Sequence, residues 1–141
     1  MDLTVEFNVG VGPVKLGMTM DQVRAAIARP HESFMKSRTS TMPTDDFYEE
    51  GIQVYYKKPG ICNAIEMGSP AKPVIHGNEI IGVRISEVRE WLLRLDRNLE
   101  TDGDGLTSHA LGIGCYAPNA GRNPSARVES LIIFENGYYK K

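Results

Sequence analysis

The fold is decided by residues 15–27, which read KLGMTMDQVRAAI. The glycine in this stretch is typical of a turn, because glycine adopts a positive φ without steric cost. Thr19, followed three residues later by Gln22, matches the pattern of a helix capping box. Apolar residues then recur at helical spacing until Pro30, and the residue before a proline avoids the helical region. The stretch therefore predicts a turn followed by an amphipathic helix over residues 20–28.

A second stretch, residues 79–92 with the sequence EIIGVRISEVREWL, repeats the first and predicts a helix from residue 85 to residue 95. Four positions correspond at one constant offset: Gly17 to Gly82, Val23 to Val88, Arg24 to Arg89, and Ile27 to Leu92. The strands after each helix also correspond, because residues 51–55 (GIQVY) resemble residues 112–116 (GIGCY). Two copies of a helix-plus-sheet unit are the simplest account of this similarity.

Alternation of apolar and polar residues predicts the strands of both copies. The clearest of these strands are residues 52–57, 61–67, 111–117 and 128–134. Two polar segments between them, residues 44–46 and 101–108, are predicted to form a turn and a loop. Residues 68–73, which are rich in proline, are predicted to link the copies.

The predicted fold class is α+β. We expect a single domain spanning residues 1–141, built from two tandem units in which a helix packs on an antiparallel sheet. The first unit comprises residues 1–70 and the second comprises residues 71–141. Together the units are expected to form one continuous sheet.

The amino-acid composition restricts the classes of protein to which this chain can belong. The chain has 141 residues, is 41% hydrophobic and carries a net charge of -2, which does not favour a nucleic-acid-binding protein. Its basic pairs, Lys57-Lys58 and Lys140-Lys141, are expected to be solvated strand ends. No signal peptide or membrane-spanning run is visible, so a cytoplasmic protein without a membrane partner is expected. Cys62 and Cys115 are then expected to be reduced.

The turn Leu16-Gly17-Met18-Thr19, followed by a short helix and a proline, resembles the opening of beta-lactamase-inhibitor-protein-like (BLIP-like) and SmpA/OmlA-like units. In these folds a helical element packs on one face of an antiparallel sheet, and tandem copies form a concave sheet. The two-copy arrangement also looks like cytosolic immunity proteins of bacterial polymorphic toxin systems. This resemblance implies a non-catalytic protein that binds a cognate bacterial toxin domain and inhibits it sterically.

Strand alternation assigns the faces of the predicted sheet. Ile52, Val54 and Tyr56 are expected to face the helices, as are Ile113 and Cys115 in the second copy. Gln53, Tyr55 and Tyr116 are expected on the open face. Tyrosine supplies rigid contact area with a polar tip. The three residues are therefore predicted to bind the partner. The alternatives are that the tyrosines simply cover the sheet surface or lie in the core through an error in the assigned register.

The densest acidic segment is residues 45–50, DDFYEE. Its residues Asp45, Asp46, Tyr48 and Glu49 are candidates for contact with a basic patch on the partner, because opposite charge speeds association. The alternative is a solvated loop that precedes a strand.

Neither a metal nor a cofactor is predicted. The sequence DGDG at residues 102–105 suggests a calcium loop, but Leu111 then occupies the place of the bidentate glutamate. An alternative function is a small thiol enzyme or small-molecule-binding protein with a pocket between the two units. Cys115, His109 and Asp104 would line that pocket.

Overall fold

The computed structural model describes residues 1–139 and has an α+β fold. The predicted basic pair Lys140-Lys141 lies outside the described residues. The helices are α1 (Met20–Ile27) and α2 (Ile85–Leu93). The strands are β1 (Val5–Glu6), β2 (Gly10–Val11), β3 (Val14–Lys15), β4 (Glu32–Phe34), β5 (Thr44–Phe47), β6 (Ile52–Lys57), β7 (Ile61–Gly68), β8 (Val74–Ile75), β9 (Asn78–Glu79), β10 (Glu100–Asp102), β11 (Gly105–Ser108), β12 (Ile113–Tyr116) and β13 (Ser130–Phe134).

Helix α1 begins with the predicted capping box. The Thr19 hydroxyl accepts a hydrogen bond from the Gln22 backbone N–H at 3.2 Å, and the Gln22 side-chain oxygen accepts one from the Thr19 N–H at 2.9 Å. Both bonds satisfy N–H groups that a helix start otherwise leaves unpaired. The helix ends at Ala28, which is left-handed with φ 53°. Val23 and Ile27 bury their side chains, so the helix turns its apolar face to the core.

The repeated turn forms the same backbone structure twice. Gly17 and Gly82 both adopt a positive φ, of 94° and 88°. The Gly17 N–H donates to the carbonyl of Cys62 at 2.9 Å, and the Gly82 N–H donates to the carbonyl of Val128 at 2.8 Å. These bonds attach each turn to the last long strand of its half, because Cys62 lies in β7 and Val128 lies just before β13. The predicted correspondence between the two stretches is confirmed at this level.

The strands of the described residues form three sheets rather than one, and the largest sheet contains strands of both predicted units. The main sheet has eight antiparallel strands in the order β10-β11-β12-β13-β7-β6-β5-β4. Strands β1-β2-β3 form a small second sheet, and β8-β9 form a third. Each of these five strands is only two residues long, and they precede the two helices. They are short because residues with a positive φ, such as Gly12 and Gly77, reverse the chain direction after two residues.

The eight-stranded sheet is assembled from two groups of four strands that meet at β7 and β13. Strands β4 to β7 follow α1, and strands β10 to β13 follow α2. At the junction Glu66 lies opposite Ile132, and the flanking pairs are Met67 with Leu131 and Ile65 with Ile133. The two groups are therefore related by a local twofold axis that passes between Glu66 and Ile132.

Two segments differ from their predicted structure. The predicted turn at residues 44–46 belongs to strand β5, which pairs with both β4 and β6. The predicted loop at residues 101–108 forms most of the hairpin β10–β11. In both cases polar residues occupy strands because long-range pairing with neighbouring strands overrides a local turn preference.

The helices pack against one face of the eight-stranded sheet, and the opposite face is open. Ile52, Val54 and Tyr56 are buried in the core with residues of both helices, as the alternation predicts. Ile113 and Cys115 lie in the same core. Neither of the two helices in the described residues is long and apolar enough to cross a membrane.

Candidate functional site

The open face of the sheet carries a cavity of about 690 Å³ over its second half. Its lining residues come from β7, β10, β11, β12, β13, the connection after β4 and the segment after β13. The site therefore draws on both groups of strands, which lie far apart in the sequence. Side chains that define it are Lys36, Glu66, Asp102, Tyr116, Ile132 and Tyr139.

The floor of the cavity is a row of residues at one level across four strands. Glu66 on β7 lies opposite Ile132 on β13, Ile132 lies opposite Gly114 on β12, and Gly114 lies opposite Thr107 on β11. A Cβ atom at Gly114 would lie only 3.1 Å from Cγ2 of Ile132. Glycine at this position gives the cavity its depth, because β12 presents backbone where a side chain would stand.

Aromatic residues border the cavity. Phe134 stacks on Tyr138, with ring centroids 5.9 Å apart, and meets Tyr139 edge-on at 4.9 Å. Tyr138 and Tyr139 are also edge-on to each other at 4.9 Å. Tyr116, on β12, is 47% exposed, as expected for the open face. The site therefore offers rigid aromatic surface next to a polar floor.

Glu66 lies at the centre of the site and accepts two hydrogen bonds. The Tyr55 hydroxyl donates to Oε1 at 2.5 Å, and the Ser130 hydroxyl is 3.3 Å from Oε2. Burial, followed by the hydrogen bond to Glu66 and the charge of that carboxylate, raises the pKa of Tyr55 far above its ordinary value. Tyr55 therefore stays a neutral donor that orients Glu66.

Tyr55 does not have the exposure that a partner-binding residue requires. Its side chain stands on the open face, as predicted, but is only 7% exposed, because it packs with Ala64 and Phe134. Lys36 covers it further, with Nζ 4.4 Å from the ring centroid. The covering residues come from outside its own strand. The expectation that Tyr55 would meet a partner directly is therefore corrected, while Gln53 remains half-buried on the same face.

The prediction that Asp45 contacts a partner is also corrected. Asp45 is 0% exposed and forms a two-point ion pair with Arg24, whose Nε and a terminal nitrogen lie 2.8 and 2.9 Å from the two carboxylate oxygens. Ser33 and Tyr56 also donate to it, at 2.6 and 2.8 Å. Burial alone would raise the pKa of Asp45, but these hydrogen bonds outweigh burial and hold the pKa below its ordinary value. Asp45 is therefore a buried structural charge.

The rest of the acidic segment is more accessible but lies apart from the cavity. Asp46 is half-buried beside Gln53 on the open face. Tyr48, 48% exposed, and Glu49 follow β5 in the turn to β6. None of these residues lines the cavity. Their predicted role in partner binding therefore stays a prediction about a separate surface.

No protein-family model, curated protein or solved structure matches the chain.

Sequence reasoning did not single out Glu66, Lys36 or Tyr139, and it considered Asp102 only as part of a possible calcium loop. Two features of the sequence could have indicated this site. Glu66 is a charged residue inside an otherwise largely apolar strand, and Gly114 is a glycine in the interior of a strand, which often marks close approach of other atoms. The contribution of Lys36 had no local signal, because it depends on how the β4–β5 connection lies over β6.

Cys115 and Asp104 border the same cavity, but His109 is not among its lining residues, so the three residues of the thiol-site alternative do not form one site. Cys115 is 4% exposed and faces the core. His109 interacts with Glu100 through Nε2 at 3.1 Å and packs against Phe134. Asp104 lines the open cavity from the turn between β10 and β11. A nucleophile requires a base within hydrogen-bond reach, and this arrangement does not supply one to Cys115.

Cys115 is expected to be inert toward thiol reagents in the native state. Burial raises its pKa to about 12, so the reactive thiolate is scarce at neutral pH. The same holds for Cys62, which is buried and whose pKa is also raised to about 12. Reaction with a chromogenic disulfide reagent at pH 8 should be slow in buffer and fast in guanidinium chloride. Rapid reaction of one thiol in buffer, lost in Cys115→Ala, would restore the thiol-site alternative.

Proposed function

We propose that the protein is a cytoplasmic immunity protein with BLIP-like tandem units, which binds a cognate bacterial toxin domain and inhibits it by covering its active site. The repeated turn, helix and four-stranded group support this reading, because they resemble the units of that fold. The observation that carries it is the open sheet face, where exposed Tyr116 and Tyr139 stand beside a cavity of about 690 Å³.

The geometry supports inhibition by occlusion. Tyrosine side chains on a rigid sheet lose little conformational entropy on binding and bury large area. A cavity floored by Gly105 and Gly114 accepts a protruding loop, such as one at the rim of an active site. The toxin segment held there would be unable to bind its own substrate, without any chemical step on the immunity protein.

A small-molecule-binding protein is the second candidate. The volume of the open-face cavity falls within the range of ligand pockets, roughly 300–1,000 Å³. This candidate would place the ligand on the open face and would require no protein partner.

Two tyrosine variants test the proposal. Tyr116→Ala removes an exposed ring from the site, and Tyr48→Ala removes an equally exposed ring from the β5–β6 turn. Tyr55→Ala is not a clean test, because it would also open a gap in the packing with Phe134. The tagged protein and both variants are used to capture partners from a lysate of the native host, and the affinity for the purified partner is then measured.

We expect Tyr116→Ala to weaken binding roughly tenfold, the scale of an interface hot spot. Tyr48→Ala shows whether the acidic segment also contacts the partner, because unchanged affinity would confine the interface to the open face. Both variants should keep the thermal stability of the wild type. Co-expression with the partner should restore growth only for proteins that bind. The reverse pattern, with Tyr48→Ala defective and Tyr116→Ala normal, would place the interface elsewhere. A protein that captures no partner yet binds metabolites on the open face would favour the second candidate.

A further inference from the structure

We propose that the open-face cavity receives an arginine side chain of the protein partner, which stacks on the tyrosine rim and places its charge against Glu66. This inference rests on the proposed function, because it names the chemistry of the segment that would enter the cavity.

The charge of the lining is the first support. Three carboxylates, those of Glu66, Asp102 and Asp104, border the cavity, against the single ammonium group of Lys36. None of the ion pairs within residues 1–139 includes any of the three carboxylates. A cationic group of the partner therefore meets carboxylates that no ion pair within the protein neutralises, and charge complementarity of this kind fixes the choice of partner.

Glu66 is positioned to accept such a group. The two side chains that donate to it, Tyr55 and Ser130, are neutral hydroxyls, so its negative charge remains. Each carboxylate oxygen has two lone pairs, so each can accept a further hydrogen bond. The two hydroxyls also fix the orientation of the carboxylate before the partner arrives, which reduces the entropy lost on binding.

The aromatic rim is the second support. Cations are attracted to the faces of aromatic rings, and the planar guanidinium group both stacks on a ring and bonds a carboxylate with its fork of N–H donors. The protein already holds one cation in this way, because Nζ of Lys36 lies 4.4 Å from the centroid of Tyr55. Tyr116 and Tyr139 present exposed rings beside the same cavity. Aromatic rings beside carboxylates favour arginine over lysine, whose compact ammonium is more strongly hydrated.

The direct test uses two capped tripeptides, Gly-Arg-Gly and Gly-citrulline-Gly. Citrulline has nearly the shape of arginine but no charge, so the pair isolates the guanidinium. Each peptide is titrated into the full chain labelled with nitrogen-15, and the backbone amide signals of Glu66, Gly114 and Ile132 are followed. We expect the arginine peptide to shift these signals in a saturable way and the citrulline peptide to leave them in place. Equal binding of both peptides, stronger binding of a matched lysine peptide, or shifts confined to other surfaces would overturn the proposal.

Charge variants supply the second test. Glu66→Gln removes one charge at the centre of the site and should weaken binding of the arginine peptide roughly tenfold, the scale of a charge-assisted hydrogen bond. Asp102→Asn should weaken it by less, because Asp102 lies four strands away from Glu66 in the sheet and adds only a more distant charge. The turn should be kept, because an asparagine oxygen can still accept the hydrogen bond from the Asp104 N–H. Lys36→Met should strengthen it, because it removes the competing cation. Glu79→Gln, an equal change of charge at an exposed residue outside the lining, should have no effect.

The two proposals can fail separately. If a protein partner depends on Tyr116 but is insensitive to Glu66→Gln and Lys36→Met, the arginine assignment is wrong and the proposed function stands. If the arginine peptide binds as described but the protein captures no protein partner, the cavity is a cation site and the proposed function is wrong. If Glu66→Gln alters the melting temperature, Asp102→Asn takes its place in this comparison.

Discussion

Replacing Arg24 with alanine is expected to lower the free energy of unfolding by about 3 kcal/mol at neutral pH. The variant would leave the carboxylate of Asp45 fully buried with only the hydroxyl donors of Ser33 and Tyr56. An uncompensated buried charge costs far more than the loss of an exposed ion pair. Urea denaturation at pH 7, followed by circular dichroism, measures the change.

The second half of the chain supplies a matched control. Arg89 corresponds to Arg24 in the repeat, but the position equivalent to Asp45 on the paired strands is Leu106, which lies opposite Cys115 as Asp45 lies opposite Val54. Arg89 is exposed, so Arg89→Ala should change stability by less than about 0.5 kcal/mol. Equal losses in the two variants would show that the ion pair does not stabilise the first half.

The effect of Arg24→Ala should depend on pH. In the wild type the pKa of Asp45 lies below its ordinary value, so its ionised form stabilises the fold above about pH 4, and this contribution is lost as pH falls through the folded-state pKa. In the variant, burial without Arg24 raises that pKa, and protonation then relieves the buried charge. The stability gap between wild type and variant should therefore shrink in acid. A gap that stays constant between pH 7 and pH 3 would contradict this account.

Gly51→Ala is expected to destabilise the protein by about 3 kcal/mol, from left-handed backbone strain and a steric clash together. Gly51 has φ 72°, and a Cβ atom there would lie 2.2 Å from the carbonyl oxygen of Gly68. Backbone on both sides of the contact belongs to the β5–β6–β7 region, so neither can move without disturbing the sheet.

Gly17→Ala separates the two causes. Gly17 also has a positive φ, of 94°, but a Cβ atom there would meet nothing within 4 Å. This variant should lose only the strain, about 1–2 kcal/mol. Thermal and urea unfolding of both variants give the comparison. If Gly17→Ala were as destabilising as Gly51→Ala, the close approach to Gly68 would have no measurable cost.

The parts of the fold that could be predicted are those set by local chemistry. The capping box, the glycine turn and the helical spacing specify α1, and the turn and the spacing recur at α2, which has no side-chain cap. Strand alternation placed Tyr55 and Tyr116 on the open face, and the structure confirms both orientations. These signals involve neighbours along the chain, so a single sequence contains them.

What could not be predicted depends on distant contacts. Tyr55 and Tyr116 occupy equivalent positions, yet one is buried, because Phe134 and Lys36 cover it from other parts of the chain. From the sequence alone Asp45 is expected to be a solvated acid, whereas in the fold it pairs with Arg24 of helix α1. Glu66 and Asp102 likewise border one cavity only after β7 and β10 join the same sheet. Each depends on strand order, which local spacing does not encode.

The local twofold axis between Glu66 and Ile132 restricts how the two halves can resemble one another. In a homodimer of two first halves joined through β7, the same register would set Glu66 directly opposite its own copy. Like charges opposite each other on adjacent strands are destabilising. Two second halves would instead place isoleucine against isoleucine and leave the centre without a carboxylate. A single acidic group at the centre of this sheet thus requires two non-identical halves, and fusing them in one chain guarantees that pairing.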